Sequence, residues 1–105
     1  MRLEELINQF KRKFEGQDFT WHHELLAVQF DITGEDGGVF YVEIRDGILS
    51  IEPYEYHDRK ARVKMSLQTL EKFIDKKIDP VAAYLKGMIK AEGNLEQVLE
   101  IAKYA

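Results

Sequence analysis

The dipeptide Asp46-Gly47 separates two runs of alternating apolar and polar residues, and it constrains the fold more than any other feature. A two-residue hairpin loop of type I′ needs positive φ at both central positions, which Asp-Gly tolerates. The loop also sets the strand register. It pairs Arg45 with Ile48, Ile44 with Leu49, and Val42 with Ile51. The hairpin then has one apolar face, formed by Phe40, Val42, Ile44, Leu49 and Ile51.

Three other segments have the period of a half-buried strand. Residues 25–32 and 61–66 alternate apolar and polar side chains, and residues 88–92 do so over a shorter length. Strands that are apolar on one side need cover on that side only. Segments with helical spacing supply it at residues 2–14 and 67–74, after Pro80, and in a terminal helix after Asn94.

Local capping residues mark where these helices begin. Ser66 is placed to cap the helix at 67–74, and Asp79 precedes a first-turn proline. Asn94 and Gln97 have the spacing of a capping box. The element order predicts an α+β fold, a five-stranded antiparallel-rich sheet with helices layered on one face, in a single domain over residues 1–105.

Composition excludes several classes of function. The 105 residues contain no cysteine, so disulfides, thiolate nucleophiles and thiolate metal sites are absent. Nineteen acidic against fifteen basic residues give a net charge of −4, which argues against nucleic acid as a partner. No uncharged stretch reaches the roughly 18 residues of a membrane span, and the N-terminus lacks a signal-peptide core. We expect a cytoplasmic protein without a cofactor.

The sequence offers no clear catalytic or metal-binding group. His22 and His23 are adjacent on a connector, where they point to opposite sides, and no second cluster completes a ligand set. We expect partly exposed histidines there, with Trp21 anchoring the connector, and a solvated loop around His57. Ser50 lies on the polar sheet face without a base beside it. The chain is therefore predicted not to be an enzyme.

The helix at residues 2–14 allows two interpretations. Its Lys11-Arg12-Lys13 run lies beside an apolar stripe, which is typical of a weak contact with an anionic membrane surface. The alternative is that the stripe packs on its own domain and the charges are solvated.

The order of the motifs resembles the lipid-binding domain of sterol carrier protein type 2. The resemblance is carried by Val63-Lys-Met-Ser, by Ile78-Asp79-Pro80-Val81-Ala82-Ala83-Tyr84-Leu85-Lys86-Gly87, and by Ile89-Lys90-Ala91-Glu92-Gly93-Asn94. Two features depart from the family pattern: Lys76 stands where a glycine is usual, and residues 16–24 follow no family pattern. The C-terminal Lys103-Tyr104-Ala105 lacks a peroxisomal tripeptide, so we expect a small bacterial or archaeal member.

The resemblance implies non-enzymatic binding and transfer of a fatty acid, fatty acyl-CoA or sterol-like lipid in an apolar tunnel between sheet and helices. The alternating pattern indicates the same location. The ligand-binding residues are predicted to be Val28, Phe30, Val42, Ile44, Val63, Met65, Leu70, Phe73, Ile74, Tyr84, Leu85, Val98 and Leu99.

Two competing functions stay open at this point. A fully packed interior would favour a dimerising or docking domain without a ligand, and the chain could be a monomer or a homodimer. An enzyme acting on an apolar substrate together with another protein is the third hypothesis. A stoichiometric lipid that copurifies would favour the first hypothesis over both.

Overall fold

Four helices and five strands make up residues 2–104, which the computed structural model describes without the side chain of Tyr104. Met1 and Ala105, the last residue of the C-terminal tripeptide, lie outside the described residues. In chain order the elements are α1 (Arg2–Phe14), β1 (Leu26–Thr33), β2 (Gly38–Arg45), β3 (Ile48–Glu52), β4 (Ala61–Ser66), α2 (Leu67–Ile74), α3 (Pro80–Leu85), β5 (Ile89–Gly93) and α4 (Leu95–Tyr104). The predicted α+β class and element order are confirmed.

The five strands form one mixed sheet in the order β3-β2-β1-β4-β5. The predicted hairpin register is confirmed, since Arg45 pairs with Ile48 and Ile44 with Leu49. Asp46 and Gly47 both have positive φ, 53° and 79°, as the turn requires. Three strand pairs are antiparallel, whereas β1 and β4 are parallel.

The parallel pair arises because residues 53–60 bring the chain back across the polar face of the sheet. The backbone N–H of Tyr56 donates to Gln29 Oε1, and its hydroxyl donates to Glu43 Oε2. The N–H of Lys60 then donates to the carbonyl of Ala27 at 2.7 Å. This return path places β4 beside the central strand β1.

Helix α1 packs its apolar stripe inside the domain. Phe10 meets Phe30 and Phe40 edge-on, with ring centroids 5.6 and 5.9 Å apart. The buried residues of the helix are Leu3, Leu6, Ile7, Phe10 and Phe14. The stripe therefore packs on its own domain, as the second interpretation of this helix expects, while Lys11, Arg12 and Lys13 are exposed. The membrane contact of residues 2–14 stays a prediction.

The connector between α1 and β1 differs from expectation at two residues. Trp21 is 56% exposed, so the prediction that it anchors the connector is wrong. Phe19 is buried in its place. His22 is only 8% exposed because its ring is held between the connector backbone and Glu100 of α4. The expectation of a partly exposed His22 is therefore also wrong.

Two of the predicted helix caps form as expected. Ser66 Oγ accepts from the backbone N–H of Thr69 at 3.1 Å, and Asp79 Oδ1 accepts from that of Val81 at 3.2 Å. These bonds satisfy N–H groups that the first helical turn leaves unpaired. They fix where α2 and α3 begin.

The predicted capping box at α4 is wrong in one half. Asn94 Oδ1 accepts from the N–H of Glu96 at 3.1 Å. Gln97, however, turns its amide toward β1, where Nε2 donates to the carbonyl of Leu25 and Oε1 accepts from the N–H of Ala27, each at 2.9 Å. A local pattern could not foresee this, because the competing partners lie some seventy residues earlier.

Candidate functional site

An apolar cavity of about 210 Å³ lies between one end of the sheet and helices α3 and α4. Tyr84 is the one lining residue with a polar side-chain atom, within the described part of the chain. The cavity is lined by Phe30, Val63, Met65, Phe73, Pro80, Val81, Tyr84, Ile89, Ala91, Leu95, Val98 and Leu99.

The sheet supplies the floor of the cavity through side chains that point the same way. Ile89 lies opposite Met65, and Ala91 lies opposite Val63, in the antiparallel β4–β5 pair. Since directly opposite residues share a face, these four form one apolar surface. Phe30 extends it onto β1, because it is the parallel neighbour of Val63.

Aromatic packing holds the floor in place. The Phe30 ring stacks on Phe40 at 4.7 Å, and Phe73 of α2 meets Phe30 edge-on at 6.4 Å. Phe10 of α1 completes this cluster, with its ring centroid 6.2 Å from that of Phe73. The wall between the cavity and the core is thus made of mutually packed rings, which resist collapse into the cavity.

The opposite side of the cavity opens to solvent through exposed apolar residues. We call this surface the rim. It consists of Val81, Tyr84, Leu85, Leu95 and Leu99. Four of the five line the cavity, and Leu85 extends the surface one helical turn beyond Val81.

Seven of the thirteen predicted ligand-binding residues come together at this cavity. They are Phe30, Val63, Met65, Phe73, Tyr84, Val98 and Leu99. Direct contact with a ligand stays a prediction for these residues.

The other six predicted residues lie elsewhere. Val28, Val42, Ile44, Leu70 and Ile74 are almost completely buried in the core, and Leu85 is 77% exposed outside the cavity. The physical reason is α1, whose phenylalanines fill the half of the sheet formed by β1 and β2. The space that remains is therefore confined to the β4–β5 end.

Five lining residues were not among those predicted. They are Pro80, Val81, Ile89, Ala91 and Leu95. The alternation in residues 88–92 did place Ile89 and Ala91 on one face, and Leu95 lies one turn before Leu99 on α4. These signals show which side chains share a face of a strand or helix, but not what that face packs against. The packing depends on β5 lying beside β4.

Helix α4 is anchored over the cavity by polar contacts on its other side. The amide of Gln97 forms hydrogen bonds with the backbone of Ala27 in β1 and of Leu25 just before it. His22 Nε2 lies 2.7 Å from Glu100 Oε1, and His22 Nδ1 lies 2.8 Å from the carbonyl of Glu24. These contacts position Val98 and Leu99 at the cavity.

Two clusters of interacting charged groups lie on the opposite, polar face of the sheet. Arg62 forms an ion pair with Asp31, and Arg45 donates to the hydroxyl of Tyr56 at 2.9 Å. Burial raises the pKa of Tyr56, and its hydrogen bond to Glu43 raises it further. The sheet thus separates these groups from the cavity, where Tyr84 is the one titratable side chain among the described lining residues.

The described residues offer neither a metal site nor a membrane span. Within residues 2–104, no group of three histidine, aspartate or glutamate side chains is close enough to hold a metal ion. None of the helices in that range is both long enough and apolar enough to cross a bilayer.

Comparison with known proteins identifies the family. The model of the SCP-2 sterol transfer family matches residues 5–105. The chain belongs to this family. The predicted resemblance is therefore confirmed.

The chain is similar to a longer curated protein and to several solved structures. Hydroxysteroid dehydrogenase-like protein 2 of Rattus norvegicus is 31% identical over 77 residues, which are 71% of this chain and 14% of that protein. The chain thus spans only a small part of the curated relatives it matches. Among solved structures, sterol carrier protein 2 like 2 of Aedes aegypti has a TM-score of 0.75 at 18% identity, with 98% of this chain and 95% of that chain covered.

The sterol carrier protein-2 of Aedes aegypti, solved in complex with the C16 fatty acid palmitate, has a TM-score of 0.74 at 12% identity. The alignment covers 99% of this chain and 94% of that chain. At these identities the likeness shows that the SCP-2 fold is shared.

Proposed function

We propose that this chain binds a single lipid molecule in the apolar cavity and transfers it without catalysing a reaction. The observation that carries the proposal is a cavity of about 210 Å³ with an apolar lining and an opening at the rim. Membership of the SCP-2 sterol transfer family and the palmitate bound in a related structure support it.

The energetics favour an occupied cavity. An empty cavity of 210 Å³ costs at most about 5 kcal/mol, at about 24 cal/mol per Å³. That is comparable with the whole stability of a small domain. Water would recover little of this cost, because the lining offers it almost no hydrogen-bonding partner. A ligand that fills the cavity therefore stabilises the fold.

An acyl chain matches the shape and chemistry of this cavity. With each methylene taken at about the 30 Å³ of a water molecule, 210 Å³ holds roughly seven. Burying seven methylenes contributes about 6 kcal/mol before the costs of association. A carboxylate or other polar head would stay at the rim, beside the Tyr84 hydroxyl, since the floor has no group to pair with it.

The same cavity argues against the two competing functions, a docking domain and an enzyme. A docking domain with a packed interior would have no such space, and an enzyme would need titratable side chains around it. Tyr84 is the one lining residue with a titratable side chain among those described, and it lies at the exposed rim. Transfer of lipid is the function that needs nothing further from this site.

The test is displacement of a fluorescent fatty acid, together with mass spectrometry of lipid extracted from the purified chain. Ala91→Phe places a ring in the cavity, so we expect binding to weaken at least tenfold while stability is kept. Val39→Phe on β2 is the matched control, because it enlarges an apolar side chain that does not line the cavity. The proposal would be overturned if no lipid copurified with the wild-type chain and if the wild-type chain bound no fluorescent fatty acid.

A further inference from the structure

Strand β5 forms one edge of the sheet, and we propose that it pairs antiparallel with β5 of a second copy of the chain, so that the two sheets become continuous. In the proposed register Ala91 lies opposite Ala91 of the other copy. This goes beyond lipid binding, because a carrier could hold its ligand as a monomer. The inference rests on the direction of the backbone groups in β5 and on the charges along the strand.

The backbone of β5 presents hydrogen-bonding groups at this edge. The N–H of Asn94 donates to the carbonyl of Lys60 at 2.8 Å, and this pair continues the register of the β4–β5 ladder. Bonded pairs in an antiparallel ladder alternate with residues whose N–H and C=O point away from the neighbouring strand. Ala91, three residues before Asn94, is one of these. Within residues 2–104 no further strand lies beside β5, and an open edge of this kind accepts another strand.

Charge selects the register of the pairing. A symmetric pair must place residues that share a face of the sheet opposite each other, so its centre lies at Lys90, Ala91 or Glu92 in this strand of five residues. A centre at Lys90 or at Glu92 would oppose that residue to itself, and like charges directly opposite are destabilising. A centre at Ala91 instead places Lys90 of each copy opposite Glu92 of the other.

The second copy supplies a counter-charge that the chain itself lacks. Lys90 lies directly opposite Lys64 of β4, and within residues 2–104 neither lysine forms an ion pair. Glu92 Oε1 lies 3.8 Å from Arg62 Nη1, but the Glu92 side chain is 70% exposed and can accept a second cation. Lys90 and Glu92 of the two copies form a non-hydrogen-bonded pair in this register, where opposite side chains approach most closely.

The other edge strand, β3, lacks this charge complementarity. Its residues, Ile48–Glu52, include one acidic residue and no basic one. No register of two β3 strands can therefore place a cation opposite Glu52. Pro53 follows the strand directly and has no N–H with which to extend a ladder. Self-association through the sheet is therefore assigned to β5.

The pairing involves the floor of the cavity. Ile89 and Ala91 line the cavity from β5, so a strand that joins this edge restrains the backbone that carries them. Directly opposite residues share a face, and the two cavities consequently lie on the same face of the joined sheet.

Sedimentation equilibrium of the full chain over a range of concentrations tests the association. We expect a reversible dimer and no larger species, because the pairing of two β5 strands uses up both copies of this edge. Amide hydrogen exchange at low and high concentration then tests the location. The Ala91 amide should exchange at least fivefold more slowly in the dimer, because its N–H becomes bonded to the other copy. The Leu49 amide, on the β3 edge, should not change.

Charge reversal tests the register. Lys90→Glu and Glu92→Lys should each weaken the dimer at least tenfold, because either substitution turns two attractions into repulsions. The double variant Lys90→Glu, Glu92→Lys restores opposite charges between the copies and should dimerise within about threefold of wild type. Lys64→Glu is the matched control, since it makes the same charge change on β4, one strand away from the interface, and it should also stay within about threefold.

Urea unfolding at low concentration separates loss of the dimer from loss of the fold. Lys90→Glu places a carboxylate opposite Lys64, so the monomer of this variant should unfold at the same or a higher urea concentration than wild type. A folded variant that no longer dimerises has therefore lost the interface alone.

A wild-type chain that stays monomeric at the highest attainable concentration would overturn the proposal. So would a dimer that both single reversals leave intact, a folded double variant that stays monomeric, or a dimer in which the Ala91 amide is unprotected. Displacement of fluorescent fatty acid is measured on wild type in parallel. A monomeric chain that still binds fatty acid would leave the proposed function standing.

Discussion

His22 Nε2 lies 2.7 Å from Glu100 Oε1 and joins the connector before β1 to the helix that covers the cavity. His22 Nδ1 faces the carbonyl of Glu24 at 2.8 Å. The connector thereby restrains α4, whose Val98 and Leu99 line the cavity.

Glu100→Gln tests whether this contact restrains α4. The substitution keeps the shape but removes the charge, and we expect amide hydrogen exchange over residues 98–103 to become about fivefold faster. Fatty acid should also dissociate faster, because α4 opens more often. Glu96→Gln is the matched control, since Glu96 is exposed on the same helix. Equal exchange rates in both variants would contradict the role given to the pair.

Leu70→Ala and Leu99→Ala test whether the predicted ligand-binding residues divide into core residues and cavity residues. Leu70 is fully buried, so its loss should cost about 2–5 kcal/mol in urea unfolding. Leu99 is 44% exposed at the rim, and its loss should cost less than about 1 kcal/mol while weakening fatty acid binding. A stable Leu70→Ala variant with impaired binding would show that the cavity extends into the core.

Arg2 links α1 to α2 through an ion pair with Glu71, with 2.8 Å between Arg2 Nη2 and Glu71 Oε2. This hydrogen bond lowers the pKa of Glu71 below its ordinary value of 4.5. A lowered pKa in the folded state contributes stability above the unfolded value, and the contribution is lost as the pH falls through the folded value. The effect is small because both side chains are exposed.

Arg2→Gln should therefore lower the urea midpoint at pH 7 and match wild type at a pH well below 4. Arg12→Gln is the control, because Arg12 is exposed on the same helix and forms no ion pair within residues 2–104. A deficit of equal size at both pH values would mean that packing, and not charge, is responsible.

Lys76→Gly should stabilise the chain even though it deletes a side chain. The left-handed backbone costs a lysine about 1–2 kcal/mol of stability, which the substitution recovers. Glycine loses about 0.5–1 kcal/mol of that gain, because it has more conformational freedom in the unfolded chain. We expect a net gain of about 0.5 kcal/mol in chemical denaturation. Lys77→Gly, at a position without positive φ, should instead lose stability. A loss at Lys76 would show that the lysine makes a stabilising contact.

The order of the elements could be predicted because its signals are local. The turn at Asp46-Gly47, the cap at Ser66 and the proline after Asp79 act within a few residues, and the structure confirms each of them. The Gln97 prediction failed for the complementary reason. Its amide forms hydrogen bonds with backbone groups that are distant in sequence, in place of the cap at Asn94. A local sequence pattern gives no information about such distant partners.

By itself, the sequence determined which residues are apolar, the period at which they recur and the turns between them, and so the α+β class and the family. Only the tertiary structure decided where the cavity lies. An alternating strand specifies a buried face but not what covers it. The phenylalanines of α1 fill one half of that face, and the parallel placement of β4 leaves the other half to α3 and α4.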